Sequence, residues 1–306
     1  MKKQSKAYLF AGTAVLMWST VGSAFKLTLR HLTPLQMLLG ASAFSILVLF
    51  IILIIQRKQK ALFKSTGTEL FRSALLGMMN PLLFYIVLFS AYDLLLTQEA
   101  MVLNFTWPVT LTVLSFFMLR QRIGWKSFLA ILISFIGIII IGTGGKFWTL
   151  RFSNPAGVAL ALASTVLWSL FWIFNLKDRR DEVLKLFLNF LFGFIYILIL
   201  SYILKLNLIN IPEKLSFIKS GGPVWPFSWQ ALYGCIYIGI FEMGIAYVFW
   251  LKGLQLSSTT AKVSNLIFFA PFLSLVIINL TVGEPLKPAT LAGLAFIIGG
   301  ILLQRK

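Results

Sequence analysis

Long apolar runs alternate with short polar breaks along almost the whole chain. A helix that crosses a bilayer needs about 20 mostly apolar residues. Ten stretches fit: 7–26, 34–55, 71–92, 97–119, 125–143, 155–175, 184–204, 228–251, 260–281 and 287–303. Most connections between them are short. The exception runs from Lys205 to Phe227 and contains Pro212, Gly221, Gly222, Pro223 and Pro226, which predicts an exposed loop. Trp225 and Trp229 suit a membrane interface there. The first run follows Met1-Lys2-Lys3 in the manner of a signal peptide, but it lacks a convincing small-residue cleavage site and further spans follow. It is expected to stay as the first helix.

Composition agrees with this reading. Of 306 residues 59% are hydrophobic and 12% charged, with a mean hydropathy of +0.91. Soluble domains carry about 25% charged residues, so lipid is the expected solvent. The net charge of +18 raises nucleic acid as a partner. Its placement between apolar runs instead fits topology signals and lipid head groups, and no nucleic-acid partner is expected. With the N-terminus inside, 19 Lys and Arg fall on the inner side and 8 on the outer side. That bias places both termini in the cytoplasm, as an even number of spans requires. The single cysteine, Cys235, excludes an intrachain disulfide and reads as inert packing.

The chain also matches itself weakly. Trp18-Ser19 in the first span answers to Trp168-Ser169 in the sixth, and Pro108 in the fourth to Pro271 in the ninth. After each proline come an apolar stretch, a short polar break and a glycine-bearing helix, with Gly137 matching Gly300. Five spans per half is an odd number, so the second half must enter the membrane upside down. The expected fold is all-α: ten transmembrane helices in two inverted five-helix repeats, residues 1–145 and 146–306. That architecture puts a substrate site at the repeat interface near the midplane.

Glu99 to Pro108 is the most unusual stretch inside a span, with an acid, an amide, an indole and a proline. An ionisable residue within a span costs about 2.5–3.5 kcal/mol on insertion scales and is by default a functional hypothesis. Glu99, Glu242 and Lys262 are the candidates. Either acid is a candidate proton carrier, against the plainer readings of an end residue for Glu99 and an interhelical bond for Glu242. Asn104, Trp107, Pro108 and Leu111 share one helix face, from which Glu99 points away. Lys262, Asn265 and Phe269 share a face of the ninth span. Pro108 and Pro271 each remove a backbone hydrogen bond and mark bends suited to gating, or harmless kinks. Trp18 beside Ser19, Phe105 and Trp107 beside Asn104, Trp168 and Tyr247 suggest a cavity lined with rings, against the alternative of ordinary packing. Rings suit apolar or aromatic ligands and ammonium groups.

Other chemistries recede. One histidine, His31, and one cysteine make no metal cluster, and no phosphate-binding Gly-Lys loop is present. No catalytic constellation has supporting context, so no enzyme activity and no cofactor are expected.

With these residues in place the sequence resembles the drug/metabolite transporter superfamily, in its EamA-domain branch, over both halves. The resemblance implies fold more than substrate. Trp18-Ser19-Thr20, Glu99 through Asn104-Phe105 to Trp107-Pro108, and Gly244 through Ala246-Tyr247 to Trp250 are similar to the aromatic amino acid exporters of that branch. In those, an aromatic and a tryptophan of the fourth helix face the central cavity, which maps onto Phe105 and Trp107. The aromatic there is usually Tyr, so Phe105 lacks a hydroxyl donor. The resemblance also implies cavity roles for Trp168, Lys262 and, in the third span, Tyr85. Repeats of the branch carry Glu in the break after the proline helix; Glu284 fits and Gln121 does not.

These readings predict a multi-pass protein of the bacterial inner membrane, a monomer whose partners are the bilayer and a small molecule. It is expected to export aromatic or large neutral amino acids by alternating access. Efflux of drugs or other metabolites is the alternative, and a polytopic membrane enzyme or non-transporting membrane protein a more distant one.

Overall fold

The computed structural model describes residues 3–119, 125–146, 154–205, 228–257 and 265–303. Among these, every regular element is helical. The chain forms α1 (Lys3–Leu29), α2 (Pro34–Ile55), α3 (Gly67–Gly77), α4 (Phe84–Leu94), α5 (Thr97–Asn104), α6 (Trp107–Leu119), α7 (Trp125–Gly142), α8 (Pro155–Lys177) and α9 (Glu182–Lys205). Then follow α10 (Trp229–Tyr237), α11 (Ala246–Leu256), α12 (Phe269–Val282) and α13 (Pro288–Leu303). Wide π-helical turns join α3 to α4 over Met78–Leu83 and α10 to α11 over Ile238–Ile245.

Local chemistry sets the helix starts. Thr33 and Gln36 form a reciprocal capping box at α2, with Pro34 in the first turn, where its missing N–H costs nothing. Asn154 caps α8 by accepting from the Gly157 N–H at 3.0 Å, and Ser228 caps α10 from Ala231 at 3.1 Å.

Six helical segments among the described residues are long and apolar enough to cross a membrane: Lys3–Leu29, Pro34–Ile55, Gly67–Leu94, Pro155–Asn175, Glu182–Leu204 and Trp229–Gly253. They coincide with the expected spans one, two, three, six, seven and eight. Phe269–Val282 and Pro288–Gly300 are shorter apolar helices. The expected span four is not continuous, because α5 stops at Asn104 and α6 begins at Trp107. Pro108 explains the break: it has no N–H to donate to the Asn104 carbonyl. In the third span Asn80 leaves helical geometry altogether (φ −149°, ψ 116°), directly before Pro81.

The packing is interlocked. α1 lies on α11 and α12, while α2 lies on α10 and on the π turn that follows it. In the same manner α8 lies on α4, α5 and α6, while α9 lies on α3 and its π turn. α7 and α13 pair with each other, the two backbones meeting at Gly137 and Gly293.

Two glycines make the π turns fit. A Cβ on Gly77 would overlap the Asn189 carbonyl of α9, and one on Gly239 would overlap the Ala41 carbonyl of α2. A π turn also leaves carbonyls without their usual helical donor. The Ser45 hydroxyl of α2 donates to one of them, on Met243, at 2.9 Å.

Candidate functional site

At the centre of the bundle lies a cavity of about 40 Å³. Trp18, Asn104, Phe105, Trp107, Trp168 and Glu242 line it, together with Phe84, Tyr92 and Ile267 among others. Six residues singled out in the sequence therefore meet at one place, from α1, α5 and α6, α8 and the second π turn.

The walls are largely aromatic rings, packed edge to face or tilted against each other. Trp18 and Trp168, the two tryptophans of the sequence repeat, touch with centroids 5.9 Å apart, and Trp168 stands 4.8 Å from Phe84. Such pairs hold the rings in fixed orientations. Asn104 keeps its place through an Nδ2 donation to the Ser164 hydroxyl at 2.8 Å. Ser169 donates to the Trp107 carbonyl at 3.2 Å, bracing the break between α5 and α6.

Beneath the rings lies a buried polar network. The Tyr85 hydroxyl donates to Glu242 Oε1 at 3.1 Å and stands 3.0 Å from the Tyr247 hydroxyl. Asn80 Nδ2 donates to the Tyr247 hydroxyl at 3.1 Å. The positions repeat: Gly77, Asn80 and Tyr85 follow the same steps along the chain as Gly239, Glu242 and Tyr247. The bonding is crossed, since each tyrosine reaches the polar residue of the other segment. Two buried polar atoms of cavity-lining residues have no hydrogen-bond partner, Glu242 Oε2 and Trp18 Nε1.

Other predicted residues lie elsewhere. Tyr85 and Tyr247 are fully buried behind the cavity wall rather than on it. Ser19 is buried, donates to the Val15 carbonyl at 2.7 Å and offers its own carbonyl to Ser274. Pro271 is buried near the start of α12. Pro108 is the second residue of α6, and Asn265 opens a short 3-10 turn to Phe268; their side chains are outside the description. Lys262 lies outside the described residues.

Glu99 lies apart from the cavity. It is buried at one end of the bundle, where it accepts from Lys287 Nζ at 2.9 Å. Beside it Glu284 crosses from the α12–α13 connection to cap α5. Its Oε1 accepts from the Thr97 N–H at 3.1 Å and the Thr97 hydroxyl at 2.8 Å, and its Oε2 from the Gln98 N–H at 3.4 Å. Leu96, the local cap residue, has no side-chain acceptor, so a carboxylate from elsewhere satisfies the helix start. Gln98 completes the latch, donating to the Pro285 carbonyl at 2.8 Å and accepting from the Lys287 N–H at 3.1 Å.

The other end of the bundle carries a separate polar group. Arg180 grips Asp178 through Nη2 at 2.6 Å and reaches the Ser73 hydroxyl of α3 at 2.8 Å. Burial alone would raise the Asp178 pKa, but the Arg180 hydrogen bonds and charge hold its carboxyl below the usual carboxylate range. Lys58 pairs with Asp181, tying the end of α2 to the start of α9.

Sequence reasoning missed Asn80, and with it the crossed network. The signal was present in the repeated Gly, polar residue and Tyr steps of spans three and eight. A larger groove of about 550 Å³ opens between α3 and α8, lined mainly by apolar side chains with Arg72 and Lys177. It shares no residue with the central cavity.

Apolar helices long enough to span a bilayer, packed around a ring-walled cavity, define a multi-pass membrane protein. The chain belongs to the EamA-like transporter family, whose profile matches it twice, over residues 5–143 and 155–304. It is similar to an uncharacterized transporter of Clostridium kluyveri, 24% identical over 98% of this chain and 93% of that one. It is likewise similar to the uncharacterized transporter YvbV of Bacillus subtilis, 25% identical over 98% of this chain and 92% of that one. A protein crystal structure superposes with a TM-score of 0.66, covering 98% of this chain and 96% of that chain at 19% identity, a likeness of fold.

Proposed function

We propose that this chain is a ten-span secondary transporter of two inverted halves, residues 1–145 and 146–306. Both termini lie in the cytoplasm and the bundle in the bacterial inner membrane. The double family match supports the two halves. So does the crossed bonding of Asn80 to Tyr247 and of Tyr85 to Glu242, the pattern expected of two segments related by a two-fold axis.

Its substrates are amino acids, aromatic or large and neutral, exported by alternating access. The observation that carries this reading is the cavity itself, which combines aromatic walls with the amide of Asn104 and the carboxyl of Glu242. Trp18, Phe105, Trp107 and Trp168 receive the side chain. Asn104 and, from the ninth span, Lys262 receive the polar end. Pro108 and Pro271 supply the bends. Of the two acids, Glu242 is the better candidate for coupling, because Glu99 is already ion-paired with Lys287. A volume of about 40 Å³ holds a few waters at most, so a substrate enters only when the walls part. The Glu99, Gln98 and Glu284 latch closes the end assigned to the outside.

The test is uptake and release of radiolabelled phenylalanine and tryptophan in proteoliposomes. Trp107→Ala is expected to cut flux at least about tenfold through lost ring contact and to abolish resistance to toxic aromatic analogues in cells. An unchanged flux in this variant, or no amino acid movement by the wild type, overturns the substrate assignment.

A further inference from the structure

We infer that Glu242 is the ammonium-recognition point of the cavity, so that a protonated amine is what the site demands of its ligand. The inference deepens the proposed amino-acid reading and rests on the cavity assigned there.

Three observations carry it. Glu242 lines the cavity, is only 5% exposed, and has one oxygen engaged and one free. Tyr85 occupies Oε1 at 3.1 Å, and Tyr85 is itself held by Tyr247, which Asn80 holds in turn. That chain fixes the plane of the carboxyl group and leaves Oε2 without a partner. Among the described residues no cation pairs with Glu242. A buried carboxylate without a counter-charge is costly, and an ammonium ion entering the cavity supplies charge and hydrogen together. The surroundings suit the same group. Trp18, Trp107, Trp168, Phe84 and Phe105 border the cavity, and aromatic rings attract cations. A carboxylate ligand has no comparable welcome from Glu242. Of the other polar residues of the described wall, Asn104 is bonded through Nδ2 to Ser164, which leaves its carbonyl oxygen as a further acceptor.

The crossed network makes Tyr85 a positioning residue. It touches the carboxyl oxygen opposite the one that meets the ligand. Because Tyr85 belongs to α4 and Tyr247 to α11, the helices that follow the two π turns, the orientation of the carboxyl depends on how those two segments sit against each other. Recognition of the amine is thereby tied to the arrangement of the segments around it.

Three phenyl compounds separate the contributions: L-phenylalanine, phenethylamine, which keeps the amine and lacks the carboxylate, and 3-phenylpropionate, which keeps the carboxylate and lacks the amine. Binding to the purified full-length chain is read from the fluorescence of its tryptophans. Phenethylamine is expected to bind on the order of ten- to a hundredfold more tightly than 3-phenylpropionate, the range for one charge-assisted hydrogen bond. Glu242→Gln retains an acceptor for Tyr85 and is expected to erase that preference. Tyr85→Phe is expected to shrink it without abolishing it.

Equal binding of the amine and the acid by the wild type overturns the inference without recourse to any variant. So does a preference that survives Glu242→Gln. If phenethylamine binds through Glu242 while phenylalanine neither binds nor moves, the amino-acid assignment falls and the ammonium site stands. If phenylalanine is transported equally by wild type and Glu242→Gln, the reverse holds. If none of the three binds, both fall.

Discussion

Two regions of this bundle bury carboxyl groups and treat them in opposite ways. At the latch, both oxygens of Glu284 accept hydrogen bonds, and Glu99 beside it is ion-paired. At the cavity, Glu242 is bonded through one oxygen and bare at the other. A fully satisfied buried group contributes to architecture, since removing it strands its partners. A half-satisfied one is the expected mark of a place where something else binds. The same residue type thus serves closure in one region and recognition in the other.

The comparison is most severely tested by truncating the satisfied carboxyl. Glu284→Ala strands the Thr97 and Gln98 N–H groups at the start of α5 and is expected to destabilise the protein by about 2–4 kcal/mol. Thermal unfolding in detergent reads this directly. A loss of under about 1 kcal/mol would show the latch to be ornamental and the contrast mistaken.

An intermediate effect is expected at the opposite end of the bundle. Asp178 has its folded pKa lowered by Arg180, so its contribution is present at neutral pH, above the unfolded value. That contribution is lost as pH falls through the lowered folded value. Hydrogen exchange around Ser73 and the α8–α9 connection should therefore quicken on acidification. Asp178→Asn should start from the faster exchange and show a weaker acid response. An identical pH profile in the variant would remove Asp178 from the account of that end.

The smallest effect is expected where the contrast is sharpest. Glu242→Gln keeps the Tyr85 contact and removes a buried acid, so its stability should stay within about 1 kcal/mol of the wild type. A loss as large as that of Glu284→Ala would make Glu242 a structural residue like its counterpart at the latch.

Much of this arrangement was legible in the sequence. Apolar length alone marked the six long spans, and helical spacing separated Glu99 from Asn104 as the structure does. The Trp-Ser pairs of spans one and six bring Trp18 and Trp168 into contact. Pro108 announced a disturbance of span four, although a bend was expected and the helix is broken. Asn80 escaped notice because a lone amide beside a proline looks like a kink until its partner is known. That partner, Tyr247, lies 167 residues away. Hydropathy reports what a segment faces on average and is silent about which distant hydroxyl meets which amide. The capping of α5 by Glu284 was hidden in the same way, since a helix start lacking a local cap gives no sign of the distant group that supplies one.

The close approach at Gly239 carries a consequence for biosynthesis. The face of α2 at Ala41 and Ser45 is shaped to receive the second π turn, and Ser45 donates to Met243, which is made 198 residues later. On a ribosome adding about 5–20 residues per second, the finished α2 waits on the order of ten seconds or more for its partner. Throughout that time lipid, or an insertion chaperone, must cover a surface that the completed chain hides. A nascent chain released at its midpoint would leave the membrane with an unmatched groove, so quality control of this protein has its most exposed moment halfway through translation.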